Sequence, residues 1–125
     1  PKSSNYFNDS LILTACKLAK DVNAKAIVGM TQLGYAAIKA SSHRPNANIF
    51  AFTSNDTILN TMNLVWATKA YHYDKASSTD ETIADVEKIL KRDGHVKSGD
   101  IFIILASMPI QERGRSNMIK VHVVN

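Results

Sequence analysis

A single cysteine, Cys16, stands in this chain of 125 residues. An internal disulfide is therefore excluded. With no second cysteine beside it, neither a Cys-x-x-Cys redox pair nor a thiolate zinc site can form, which leaves Cys16 as a core thiol. Long hydrophobic runs are missing as well. Nothing approaches the roughly 20 apolar residues that cross a bilayer, and the polar opening Pro1 to Asn8 has no signal-peptide pattern. No membrane partner is expected, and the expected compartment is the cytoplasm. The basic excess is small, a formal +4, and its lysines and arginines are spread over the whole chain. A nucleic-acid footprint wants them clustered among stacking aromatics, so no nucleic-acid partner is expected. His43, His72, His95 and His122 contain no i, i+4 pair, so no metal site is expected. There is no Walker-type phosphate loop and no serine or cysteine in a nucleophile-elbow context. Both absences argue against self-contained nucleotide-hydrolysing or hydrolase chemistry.

What is present is a hydrophobic content of 45% with 21% charged residues. That is enough for one domain with a real core, and residues 1–125 are read as that single domain. Asn8, Asp9 and Ser10 offer caps to a first helix in which Leu11, Ile12, Ala15, Cys16, Leu18, Ala19 and Val22 recur at helical spacing, as far as Asp21 to Asn23. Ala26 to Met30 follows as a strand. A second helix is predicted over about Gln32 to Ser42, closed by Pro45, which also restricts Arg44. Asn48 to Thr53 is apolar on both alternating faces, as in a strand covered by helices on each side. Ser54, Asn55 and Asp56 can cap a third helix whose stripe is Ile58, Leu59, Met62, Leu64, Val65 and Trp66. Thr68 to Tyr73 reads as a strand. Ser78 with Glu81 makes a capping box for a fourth helix lined by Ile83, Val86 and Leu90, and Gly94 supplies its left-handed stop. Ile101 to Ala106 is the most continuous apolar run and reads as a central strand. Met118 to Val124 alternates Ile119, Val121 and Val123 with Lys120, His122 and Val124, the pattern of a half-exposed edge strand. Its connection from Ala106 has no helical period, which favours an antiparallel return.

This alternation predicts an α/β fold, a three-layer sandwich with a mostly parallel five-stranded sheet between helices on both faces. The expected order is 3-2-1-4-5 with the last strand antiparallel. The switch point then falls between the first and fourth strands, so the turns after Met30 and Ala106 face one crevice. In the first turn Thr31 is a candidate N-cap and Gly34 leaves room for a ligand at the backbone, where exposed helix N–H groups attract anions. The second segment, Ser107 to Asn117, brings Arg113 and Arg115 around Gly114, and two arginines there could clamp phosphate oxygens. Every βα unit needs such a turn, so a connection that binds nothing is the competing reading.

Several stretches together resemble a known family: Ala24 to Thr31 (A-K-A-I-V-G-M-T), His43-Arg44-Pro45 followed by Ile49 to Thr53, Leu64-Val65-Trp66, Val96 to Asp100 and Ser116 to Val121. Across about Asp9 to Val124 their order and spacing resemble the C-terminal domain of pyruvate kinases. The resemblance implies the same α/β fold and a parent enzyme that transfers a phosphoryl group between phosphoenolpyruvate and ADP with magnesium and potassium. It places the catalytic residues in a separate barrel domain, so this domain would hold no catalytic residue and no cofactor. Its implied role is regulation and assembly, with its own catalytic barrel, a homo-oligomer partner and a phosphorylated small-molecule effector as partners.

The effector site carries over in part. In fructose-bisphosphate-regulated members the turn after the first strand reads Thr-Lys-Ser-Gly-Arg or close to it; here it reads Thr31-Gln32-Leu33-Gly34-Tyr35. Thr31 and Gly34 match, whereas Gln32, Leu33 and Tyr35 remove two charges and a hydroxyl, which weakens anion binding. Thr53, Ser54 and Asn55 after the second strand, with Arg113, Gly114 and Arg115, are the further candidate effector contacts. The alternative function is a free-standing phosphate- or small-molecule-binding module with this fold and no kinase activity. A chain opening at Pro1 directly before the first helix reads as a domain excised from a longer protein.

Overall fold

The computed structural model describes residues 4–30, 39–40, 42–43, 45–62, 68–74, 78–106 and 118–125. In chain order its elements are α1 (Ser4–Asp21), β1 (Ala26–Met30), β2 (Asn48–Thr53), α2 (Asp56–Met62), β3 (Thr68–His72), α3 (Thr79–Arg92), β4 (Ile101–Ala106) and β5 (Met118–Val123). The strands form a five-stranded sheet in the order β3-β2-β1-β4-β5. It is parallel except where β5 returns against β4, pairing Met118 with Ala106 and Val123 with Ile101. Order and orientation are those that the alternation of elements predicts.

The three central strands owe their place to apolar residues on both faces. On one face Ile27, Ile49, Ala51, Ile103 and Leu105 meet Ile12, Ala15, Cys16 and Ala19 of α1. The small residues of α1 let the helix sit close over the branched side chains of the strands. On the other face Val28, Phe50, Phe52, Phe102 and Ile104 meet Ile83, Val86 and Leu90 of α3. Side chains of this size, when fully buried, contribute roughly 1.5–3 kcal/mol each. β5 closes one edge with a different pattern. Its Val121 and Val123 are 41% and 56% exposed, while Val124, just past its end, is buried. The exposed side of β5 is thus the apolar one.

The first helix is longer than its caps predict. It starts at Ser4, so Asn8, Asp9 and Ser10 lie inside it. Such residues fall short of alanine by only about 0.7 kcal/mol or less each, too little to stop a helix whose next turns bury Ile12 and Ala15. Ser10 accepts a bond from the Thr14 hydroxyl at 2.8 Å within the helix. Both long helices end on a left-handed residue that ties back the last carbonyls. After α1 it is Asn23 (φ 56°), with Ala24 N–H on Ala19 O and Asn23 N–H on Lys20 O. After α3 it is Gly94 (φ 79°), with His95 N–H on Leu90 O. The N-cap half of the predicted capping box of α3 is seen in Ser78, whose hydroxyl accepts from Glu81 N–H at 3.2 Å. Of the second predicted helix only Lys39, Ala40 and Ser42 fall among the described residues, and all three are helical. Leu64, Val65 and Trp66 of the third lie outside them.

Candidate functional site

Strands β1 and β4 are neighbours, with Gly29 paired to Leu105. The chain leaves β1 toward β2 and β3 on one side and leaves β4 toward β5 on the other, so the switch point sits between them. Met30 and Ala106 therefore end neighbouring strands at the carboxyl edge of the sheet. Met118 pairs with Ala106, so β5 begins at this edge. Thr31, Gln32, Leu33, Gly34 and Tyr35 of the first segment and Arg113, Gly114 and Arg115 of the second lie outside the described residues.

Thr53, Ser54 and Asn55 are described, at the same edge one strand further along. Thr53 is 1% exposed and ends β2. Its Oγ1 accepts from Asn55 N–H at 3.1 Å, and its carbonyl accepts from Tyr73 N–H at 2.9 Å. Asn55 Oδ1 accepts from Thr57 N–H at 3.0 Å, capping α2. A threonine and an asparagine two residues apart form this turn because each side chain can replace a backbone carbonyl. Their oxygens serve the turn and the cap first.

Charge divides the edge further. His72 at the end of β3 lies between Asp74, 3.4 Å from Nε2, and Asp56, 3.9 Å from Nδ1. With two exposed carboxylates around one imidazole, the β2–β3 part of the edge disfavours a phosphate. The β1–β4 part ends in Met30 and Ala106, which carry no charge. Asp56 was legible as a helix-start residue, but its meeting with His72 joins positions far apart in sequence and has no local signal.

Two of the other histidines, His122 and His95, are committed to structure. His122 Nε2 lies 2.8 Å from Glu87 Oε1, and Asn125 N–H donates to the same oxygen at 3.0 Å, which ties β5 to α3. Glu87 is held below its ordinary carboxylate value: burial raises it, but Asn125 N–H, His122 and Lys91 together outweigh that. His95 Nε2 lies 3.0 Å from the Tyr71 hydroxyl, which donates to Asp93 at 2.6 Å. Burial and then Asp93 push Tyr71 up to about 12. Arg92 and then Tyr71 hold Asp93 at about 2. Cys16 is buried in the core as predicted, with its thiol pushed up by that burial.

Residues 9–122 match the family described as pyruvate kinase, alpha/beta domain. The pyruvate kinase of Clostridium acetobutylicum is 36% identical over 118 residues, covering 94% of this chain and 25% of that protein. The pyruvate kinase of Lactobacillus delbrueckii subsp. bulgaricus is 32% identical over 123 residues, covering 98% of this chain and 21% of that protein. The chain thus spans between a fifth and a quarter of these relatives. Among solved structures, Cryptosporidium parvum pyruvate kinase in complex with ADP superimposes over 100% of this chain and 24% of its own, with a TM-score of 0.85 at 23% identity. That likeness is one of fold.

Proposed function

The chain belongs to the pyruvate kinase alpha/beta-domain family, and from that premise we propose that it is the regulatory and assembly domain of a pyruvate kinase. The parent protein would transfer a phosphoryl group between phosphoenolpyruvate and ADP in its catalytic barrel, where the magnesium and potassium implied for the reaction would also reside. No step of the chemistry is assigned to this chain, because the family it belongs to is that of the alpha/beta domain and not of the barrel. Its own work would be binding and contact.

The observation that carries the regulatory half is the switch point between β1 and β4, where Met30, next in sequence to Thr31–Tyr35, and Ala106, from which the chain continues toward Arg113 and Arg115, end neighbouring strands. A phosphorylated small molecule would sit there, its phosphate on the N–H groups and hydroxyl at Thr31 and between the two arginines. Gln32, Leu33 and Tyr35 make fructose bisphosphate a poor ligand. Asp56 and Asp74 keep the phosphate off the neighbouring β2–β3 part of the edge. The assembly half rests on β5, an edge strand with Val121 and Val123 exposed. Such a strand can meet a second copy across a two-fold axis and bury those valines.

Titration with glucose 6-phosphate, followed by backbone amide shifts, tests the effector site. Shifts at Gly29, Met30 and Ala106 are expected. Shifts confined to Thr53–Asn55, or none at millimolar ligand, would refute it.

A further inference from the structure

At the opposite, amino-terminal edge of the sheet, a cleft of about 370 Å³ lies between the second half of α1 and His43, Pro45, Asn46 and Ala47 at the corner that leads into β2. The sequence leaves it open. Where α1 faces the corner it carries Cys16 and Ala19, and the corner answers with Ala47, so small buried side chains form an apolar floor. The Cys16 thiol reaches the Ala40 carbonyl at 3.9 Å, fastening the segment before the corner to the helix. Lys17 and Lys20, three residues apart on one side of α1, stand on one rim, and His43 stands on the other. Asn23 and Asn46 add amides that can donate hydrogen bonds. The left-handed turn at Asn23 already satisfies the Ala19 and Lys20 carbonyls. No carboxylate is among the described residues lining the cleft.

A concave site of this size with an apolar floor and a few converging donors has the form of a small-molecule site, and among the described residues every charge-bearing side chain on its lining is a cation or a potential one. We propose that this cleft binds a small organic anion, its phosphate or carboxylate held by Lys17, Lys20 and His43 and its apolar or aromatic body seated on Cys16, Ala19 and Ala47. The site is separate from the carboxyl edge. A five-residue strand rises about 3.3 Å per residue, which puts the two edges roughly 15 Å apart.

Phenyl phosphate, benzoate, phenol and inorganic phosphate, titrated into the 125-residue chain and followed by backbone amide shifts, test both halves of the proposal. Phenyl phosphate is expected to shift Lys17, Lys20, Asn23, Asn46 and Ala47, with phenol and inorganic phosphate each binding at least tenfold more weakly. Benzoate separates the anion classes: binding within tenfold of phenyl phosphate assigns a general anion site, and weaker binding assigns a phosphate site. Lys17→Glu with Lys20→Glu, at two exposed positions, is expected to weaken phenyl phosphate at least tenfold while the remaining amide spectrum is kept. Absence of shifts at the cleft, equal binding of phenol or of inorganic phosphate, or binding unchanged in the double variant would overturn the proposal. Shifts confined to Gly29, Met30 and Ala106 would also overturn it, and would leave the proposed effector site standing.

Discussion

Replacing Glu87 with glutamine removes one negative charge from the junction between α3 and the end of β5 and leaves the shape nearly unchanged. In the native protein one carboxylate oxygen faces His122 Nε2 at 2.8 Å and takes the Asn125 N–H at 3.0 Å. Lys91, one turn along α3, ties the same end by donating to the Asn125 carbonyl at 2.8 Å. A charge-assisted bond exceeds a neutral one by about 1 kcal/mol, so two bonds give about 2 kcal/mol in a sheltered site. With the two side chains 17% and 22% exposed, solvent screening reduces this to about 1 kcal/mol. At about 2.1 cal/mol/K per residue, a chain of 125 residues melts about 4 °C lower for that loss. The pH dependence follows from the depressed carboxyl of Glu87. A carboxyl lower in the folded state than its unfolded value of about 4.3 stabilises fully above that value and loses its contribution as pH falls through the folded one. Thermal denaturation of Glu87→Gln beside the native chain should therefore show a gap in Tm that is full at pH 7 and closes below about pH 4. A gap that persists unchanged to pH 3, or none at pH 7, would refute the reasoning.

The chain alone is expected to form no pyruvate from phosphoenolpyruvate and ADP in a coupled assay; turnover that persists through different purification routes would count against it. Light scattering over a concentration series should reveal a symmetric dimer, shifted toward monomer by Val121→Lys with Val123→Lys, whereas a monomeric mass at the highest soluble concentration contradicts the β5 interface. Restoring the fructose-bisphosphate pattern with Gln32→Lys, Leu33→Ser and Tyr35→Arg should raise affinity for that ligand by a factor on the order of a hundred or more, since two regained charge-assisted bonds are each worth about 1.5–3 kcal/mol. Calorimetry on the triple variant checks this, and an unchanged affinity would place the bisphosphate site elsewhere.

The fold was legible where burial writes a pattern into neighbouring residues. Asn48–Thr53 and Ile101–Ala106 are apolar on both faces because each lies between two helices, and the structure gives both strands the predicted limits. Ser78, Glu81 and Gly94 marked α3 because caps are local chemistry. The start of α1 is not legible because residue types such as Asn, Asp and Ser suit a cap and are tolerated within a helix, where Asn8, Asp9 and Ser10 lie. Pairings across the sheet left no trace in sequence: Glu87 with His122, Tyr71 with His95 and Asp56 with His72 depend on which strand lies beside which helix. The carboxyl edge was legible through strand order. The use of Thr53 and Asn55 oxygens within their own turn was not, since the same residue types serve turns and ligands alike.

Titration calorimetry with glucose 6-phosphate and fructose bisphosphate, on the native chain and on Arg113→Ala with Arg115→Ala, tests the regulatory reading most directly. Measurable sugar-monophosphate binding that weakens at least tenfold without the two arginines is expected, with fructose bisphosphate binding no tighter than the monophosphate. Tight bisphosphate binding by the native chain, or monophosphate binding indifferent to both arginines, would contradict it.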